Sequence, residues 1–198
     1  MRVCHRGRIV NTLFAPFEPE SSGTPMPEAH VRLGVRGDLP HTGALAAQRE
    51  GGLPADWIAQ HARRFETDGN QLFVVEAEGA IIGYGWVSFL TPVDHGGRNA
   101  PDGWYLSGVV IAPDARRRGL GRRLTQERID WALERGSAVY YVVAASNWAS
   151  RALHGELGFE ELTDDFRMPG VVFTRDDGLL CRRVERPDAT VIELASRR

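Results

Sequence analysis

Lysine is missing from this sequence altogether: all 24 basic residues are arginine. A lysine-free chain offers no Schiff base and no amine catalyst; a GC-rich coding bias is cause enough for the preference. Cysteine is nearly absent. Cys4 and Cys181 are too few for a disulfide framework of the secreted type. Neither sits in a metal-spaced cluster and the six histidines are scattered, so no metal site is expected. No apolar run reaches the ~20 residues that span a bilayer. The start, "MRVCHRGRIVNTLFAP", has only a polar-interrupted apolar segment and no small-residue cleavage site. No membrane partner is therefore expected, and a cytoplasmic location is the default. Neither charge sign dominates: the net charge is −2 and the isoelectric point about 6.3. The whole chain is thus no polyanion binder, and any basic site must be local.

What is present is ordinary for one globular domain: 198 residues, 42% hydrophobic and 25% charged. Residues 1–28, ending in "FEPESSGTPMPEA", read as a flexible extension. Met26, just before the first regular segment, is a candidate biological start. Residues 29–185 form the expected domain and 186–198 a tail. "HVRLGVR" alternates as a half-buried strand does. Asp38 is placed to cap a helix over 39–50, which Gly51-Gly52 stops. Pro54 opens a second helix with an apolar stripe of Trp57, Ile58, His61, Ala62 and Phe65. "QLFVVEAEGAIIGYGWVSFL" reads as two strands turning at Glu78-Gly79, and 92–103 as an exposed loop. The strand "WYLSGVVIA" should lie central in a sheet, with "VVI" covered on both faces. A helix follows whose polar arc holds Arg123, Gln126, Glu127, Asp130 and Glu134. The strand "SAVYYVVAAS", a short helix from Asn147 to Gly158, and two closing strands complete the order β-α-α-β-β-β-α-β-α-β-β. This is an α/β (α+β) fold: a mixed, mostly antiparallel sheet of about seven strands with helices on both faces.

The stretch "PDARRRGLGRRL" joins that central strand to the following helix. Charge density alone would suit nucleic acid, but interleaved aromatics and a basic helix face are missing. Its position favours another ligand. The first turn of a helix carries N–H groups without intrahelical partners and the positive end of the dipole. Gly119 and Gly121 withdraw side chains where an anion would approach the backbone, which describes a cradle for a diphosphate.

With its Arg116-Arg117-Arg118-Gly119-Leu120-Gly121 after "VVIAP", and with "ASNWASRALHGELGF" (145–159) at the family's spacing, the chain resembles the GNAT superfamily of acyl-CoA-dependent N-acyltransferases. The likeness covers roughly residues 30–184. It implies acetyl-CoA as co-substrate and no metal. Backbone groups of Val109, Val110 and Ile111 would pair with the pantetheine arm as an added strand does. Amides across Arg117–Arg122 would hold the diphosphate. Asn147 would touch the pantetheine arm and also serve as an N-cap. Arg123 falls on the polar arc and is expected to be solvated.

The implied reaction makes an amide from a thioester by direct transfer. An amine of pKa near 10 must lose a proton, which costs about 4 kcal/mol at pH 7. The carbonyl oxygen needs a donor, either Val110 or Ile111 N–H, and the thiolate benefits from an acid. Where many family members carry a tyrosine as that acid, this chain has His154. For the base, Tyr105 could order a water; Ser107 shares its face, and Asp94, His95 and Asp102 are alternatives. Tyr84 and Trp86 are core residues or walls of an acceptor pocket. The acceptor is an amine, either a small molecule or a protein terminus; no nucleic-acid partner is expected, and a homodimer is left open. The rival readings are a catalytically silent CoA-binding module and, further off, a nucleic-acid-binding domain.

Overall fold

The computed structural model describes residues 23–91, 99–168, 171, 173 and 177–185. Asp94, His95, residues 1–22 and the tail 186–198 lie outside those residues. The elements are β1 (His30–Leu33), α1 (Leu39–Glu50), α2 (Pro54–Glu66), β2 (Asn70–Ala77), β3 (Ala80–Leu90), β4 (Gly103–Ile111), α3 (Leu120–Leu133), β5 (Ala138–Ala144), α4 (Trp148–Glu156), β6 (Glu160–Thr163) and β7 (Gly178–Val184). They form one seven-stranded sheet in the order β1-β2-β3-β4-β5-β7-β6. Every pairing is antiparallel except β4 with β5, which α3 connects.

Strand alternation sorts the core into two layers. Along β2, Phe73 and Val75 pack with Leu120, Leu124, Ile129 and Ala132 of α3, and with Leu157 and Phe159 at the end of α4. Leu72 and Val74 turn the other way, towards Leu39 and Ala46 of α1 and the Trp57, Ala62 and Phe65 stripe of α2. Val110 joins the second layer and Ile111 the first, so the central strand is covered on both sides. Helices α1 and α2 cross closely because Gly43 is bare: a Cβ there would stand 2.5 Å from Ile58 Cγ1 and 2.9 Å from its backbone nitrogen.

One expectation needs correction. Asp38 makes no side-chain cap on α1. Its carboxylate accepts from both Arg32 Nη atoms at 2.7 and 2.9 Å and from the Val35 N–H at 2.8 Å. That closes the single turn Arg36–Asp38 instead, and bonding to Arg32 holds the carboxyl below its usual range. The described part of the lead-in makes contacts: Gly23 N–H donates to the Arg117 carbonyl at 2.8 Å, and Ala29 is fully buried. Arg123 is exposed, as its place on the polar arc implies. Its guanidinium donates to the carbonyls of Met26 and Ala29 at 3.2 and 2.5 Å, tying the lead-in to α3.

Candidate coenzyme and acceptor site

β4 carries the irregularity that shapes the site. Tyr84 pairs with Val110 but Trp86 with Ser107, so Gly108 and Val109 together oppose Gly85. This is a β-bulge, and Gly108 takes the left-handed φ of 64° that it needs. On its other edge β4 pairs with β5 only at Trp104↔Val139 and Tyr105↔Tyr140. Beyond Tyr105 the two parallel strands part, leaving one backbone edge of residues 107–111 without a neighbouring strand. Arg49 Nη1 donates to the Val109 carbonyl at 3.2 Å and Arg116 Nε to the Ile111 carbonyl at 3.1 Å. Ala112 N–H bonds back to Ile82 on β3 at 2.8 Å. Alternation therefore turns Val110 to β3, and Val109 and Ile111 to the open edge. Of the two candidate carbonyl donors, this singles out Ile111.

Arg128 of α3 fixes the bulge from below. It is fully buried, and its Nη1 donates to the carbonyls of Gly108 at 2.7 Å and of Ser107 and Trp86 at 3.3 Å. Burial, and then the charge of Arg64, lowers its pKa to about 9; it remains a cation at neutral pH. Gly85 makes room, since a Cβ there would lie 2.6 Å from Arg128 Nη1.

The arginine loop leads from this strand into α3. Gly119 sits at the N-cap with φ 79° and no side-chain cap, and the first helical bond is Arg123 N–H to Gly119 carbonyl. The amides of Leu120, Gly121 and Arg122 thus precede the helical ladder. Arg117 adopts φ 62°, a strained value for a residue with a Cβ. Gly121 is the informative position. Its backbone is helical and a Cβ would meet only Val109 Cγ1, at an ordinary 3.5 Å. Neither dihedral nor internal packing demands glycine there; an external group close to the backbone would. Arg122 pairs with Glu156 at the surface, and Arg118 lies against Gly23.

Asn147 caps α4, its Oδ1 accepting from Ser150 N–H at 3.2 Å. The two catalytic candidates, His154 and Tyr105, are both buried and hydrogen-bonded to backbone. His154 is 3% exposed, stacks on Tyr141 at 3.9 Å, and places Nδ1 2.8 Å from the Ser150 carbonyl. A carbonyl only accepts, so the network assigns the ring proton to Nδ1. Burial pushes the pKa down to about 4. A neutral ring whose one proton is committed to backbone has none for a thiolate. Tyr105 is 2% exposed and donates its hydroxyl proton to the Pro101 carbonyl at 2.6 Å, with burial raising its pKa. Asp102 is exposed.

A polar cluster that sequence reasoning missed lies on the α1–α2 face of the bulge. Arg64 reaches from the last turn of α2 to Ser88 Oγ at 2.7 Å, Ser107 Oγ at 2.6 Å and Asn70 Oδ1 at 3.3 Å. Its Cζ lies 4.7 Å over the Trp86 ring. Burial lowers its pKa to about 10, so it too is cationic. His61 meets Tyr84 and Trp86 edge-on at 5.1 and 5.8 Å. Thr42 donates to the Leu39 carbonyl, so the 2.9 Å contact from His61 Nδ1 to Thr42 Oγ1 makes Nδ1 the protonated nitrogen. Burial drops this histidine to about 4. Against an amine of pKa near 10, a gap of about six units makes it too weak to serve as base. The available signal was Arg64 one turn after His61 on an otherwise apolar stripe. Elsewhere, a recess of about 270 Å³ lies between α3 and β1–β2, lined by Arg32, Glu127, Asp130, Trp131 and Glu134. Among the described residues, no helix is long and apolar enough to cross a membrane.

A mostly antiparallel seven-stranded sheet, opened beside a bulged central strand and covered by helices, defines an α/β fold. Residues 43–159 match the family model described as the acetyltransferase (GNAT) family. The chain belongs to that family. It is 31% identical over 100 residues to the N-alpha-acetyltransferase RimI of Mycobacterium tuberculosis, covering 50% of this chain and 58% of that one; it thus spans little more than half the relative's length. The crystal structure of the ribosomal-protein-alanine N-acetyltransferase from Brucella melitensis superposes with a TM-score of 0.59 at 27% identity, over 79% of this chain and 99% of that one. A GNAT phosphinothricin acetyltransferase from Sinorhizobium meliloti, solved with acetyl-CoA, gives 0.59 at 20% identity over 82% and 94%. That last likeness is one of fold.

Proposed function

We propose that this protein is an N-acyltransferase that moves an acetyl group from acetyl-CoA to a primary amine by direct transfer. The observation that carries this reading is the junction of an unpaired β4 edge with an uncapped α3 start, bridged by Val109 against Gly121. Amides of Leu120, Gly121 and Arg122 suit a diphosphate, with Arg117 and Arg118 nearby. Val109 and Ile111 offer strand-like bonds to the pantetheine arm, which would take over the Val109 carbonyl from Arg49. Asn147 stands at the far side of the parted strands, at the end of β5.

Thioester chemistry needs little more from the chain. The amine nitrogen attacks the carbonyl carbon, the C–N bond forms and the C–S bond breaks. The ammonium proton leaves to water, and the thiolate is protonated from water. Ile111 N–H is the donor assigned to the carbonyl oxygen. With His154, Tyr105 and His61 all unsuited to acid–base work at neutral pH, positioning and this donor supply the rate. The family membership and the named relatives support transfer over silent coenzyme binding, and a cytoplasmic location goes with that reading.

Thiol release from acetyl-CoA over a panel of amines tests it. Amine-dependent release is expected, and His154→Phe should retain it within a few-fold. Coenzyme binding with no release from any amine would leave a binding module instead. Salt-sensitive nucleic-acid affinity that CoA does not compete away would favour the third reading.

A further inference from the structure

Arg64 is a cation among neutral partners. Its Nε and Nη2 donate to Asn70, Ser88 and Ser107, none of which carries charge. Among the described residues no carboxylate pairs with it, and its Nη1 donates to none of them. Beneath it lies Trp86, 2% exposed, whose indole N–H is buried without an acceptor. A buried donor left unpaired is rare in a folded protein and costly. Here that donor belongs to a ring in direct contact with the half-buried Arg64 guanidinium, in a cluster walled by Tyr84 and His61.

Sheet geometry puts this cluster beside the reacting region. Ser107, which Arg64 holds at 2.6 Å, immediately precedes the bulge glycine and lies two residues before Val109 on the open edge. The groups that complement it are compact, planar and accept only: a carboxylate matches the guanidinium fork and takes an indole N–H as well. A cationic group would meet Arg64, with Arg128 behind it, at a loss. The charge of Arg64 lowers the pKa of Arg128, and a bound anion offsets that repulsion.

We infer that the acceptor is an amine bearing a carboxylate a few bonds from its nitrogen, an amino acid or a close analogue, with Arg64 and the Trp86 Nε1–H as the carboxylate subsite. This rests on the acyl-transfer reading above and narrows its substrate class; a polyamine or an uncharged peptide terminus would not use the subsite.

Matched acceptors decide it. Amino acids, their carboxamides and the corresponding decarboxylated amines are compared by kcat/KM in wild type, Arg64→Met and Trp86→Phe. The carboxylates should exceed their amides by on the order of a hundredfold. Arg64→Met should bring the two within a few-fold by raising KM for the carboxylates, and Trp86→Phe, which keeps the ring, should lose part of the preference. CoA affinity by calorimetry, unchanged in both variants, separates this outcome from failure of the coenzyme site. A second readout needs no turnover: the Trp86 indole N–H resonance of the CoA-loaded protein is titrated with N-acetyl amino acids and with their amides. A saturable shift with the acids alone, lost in Arg64→Met, is expected. Equal rates for acids and amides, or an indole signal that ignores both, overturns the subsite even if acetyl transfer itself is found.

Discussion

At the scale of single residues, two histidines set the behaviour in acid. His61 and His154 are nearly inaccessible, and burial holds both near pKa 4, below the ordinary 6.5. A depressed histidine favours folding while it stays neutral. The unfolded chain binds protons below pH 6.5 and the native one does not until about 4, so stability is full above 6.5 and drains away between those values. The loss is up to about 3 kcal/mol per histidine. Urea unfolding from pH 7.5 to 4.5 should show that fall, and His154→Phe should remove about half of it. An unaltered slope in that variant would mean that His154 titrates normally. These same residues were the least legible in the sequence. A histidine one turn from the end of a helix reads equally well as a catalyst or as packing, and only the Ser150 carbonyl and the Tyr141 ring decide.

At the scale of elements, β4 works through its defect. The extra residue at Gly108, the guanidinium of Arg128 against the bulge carbonyls and the missing side chain at Gly85 are one arrangement. Gly85→Ala should therefore destabilise the fold by about 1–3 kcal/mol in denaturant titration, because the new methyl meets Arg128 Nη1 and the Gly108 carbonyl together. A neutral effect would show that Arg128 can leave the bulge freely. Periodicity foretold where β4 runs but not that it bulges or parts from β5. Both follow from contacts with α3 and β3, tens of residues distant along the chain.

At the scale of the whole molecule, the order of elements was legible because each carries its own period and punctuation. Helix α1 spans 39–50, as the stretch from Leu39 to the glycine pair implies, and Glu78-Gly79 turns β2 into β3 with both residues at positive φ. The proposed coenzyme half of the site is local in sequence, Gly119 at the N-cap of α3 and Gly121 in its first turn. The polar cluster proposed for the acceptor was not legible, since Asn70, Arg64, Ser88 and Ser107 come from four elements. The central claim is that peptide nitrogens at the start of α3 grip a diphosphate, which requires residue 121 to stay bare for the ligand's sake and not for the fold's. Calorimetric titration of CoA into Gly121→Leu, beside its melting temperature, is the direct measurement. The account predicts an intact fold with coenzyme affinity reduced at least tenfold; wild-type affinity in a well-folded Gly121→Leu would contradict it.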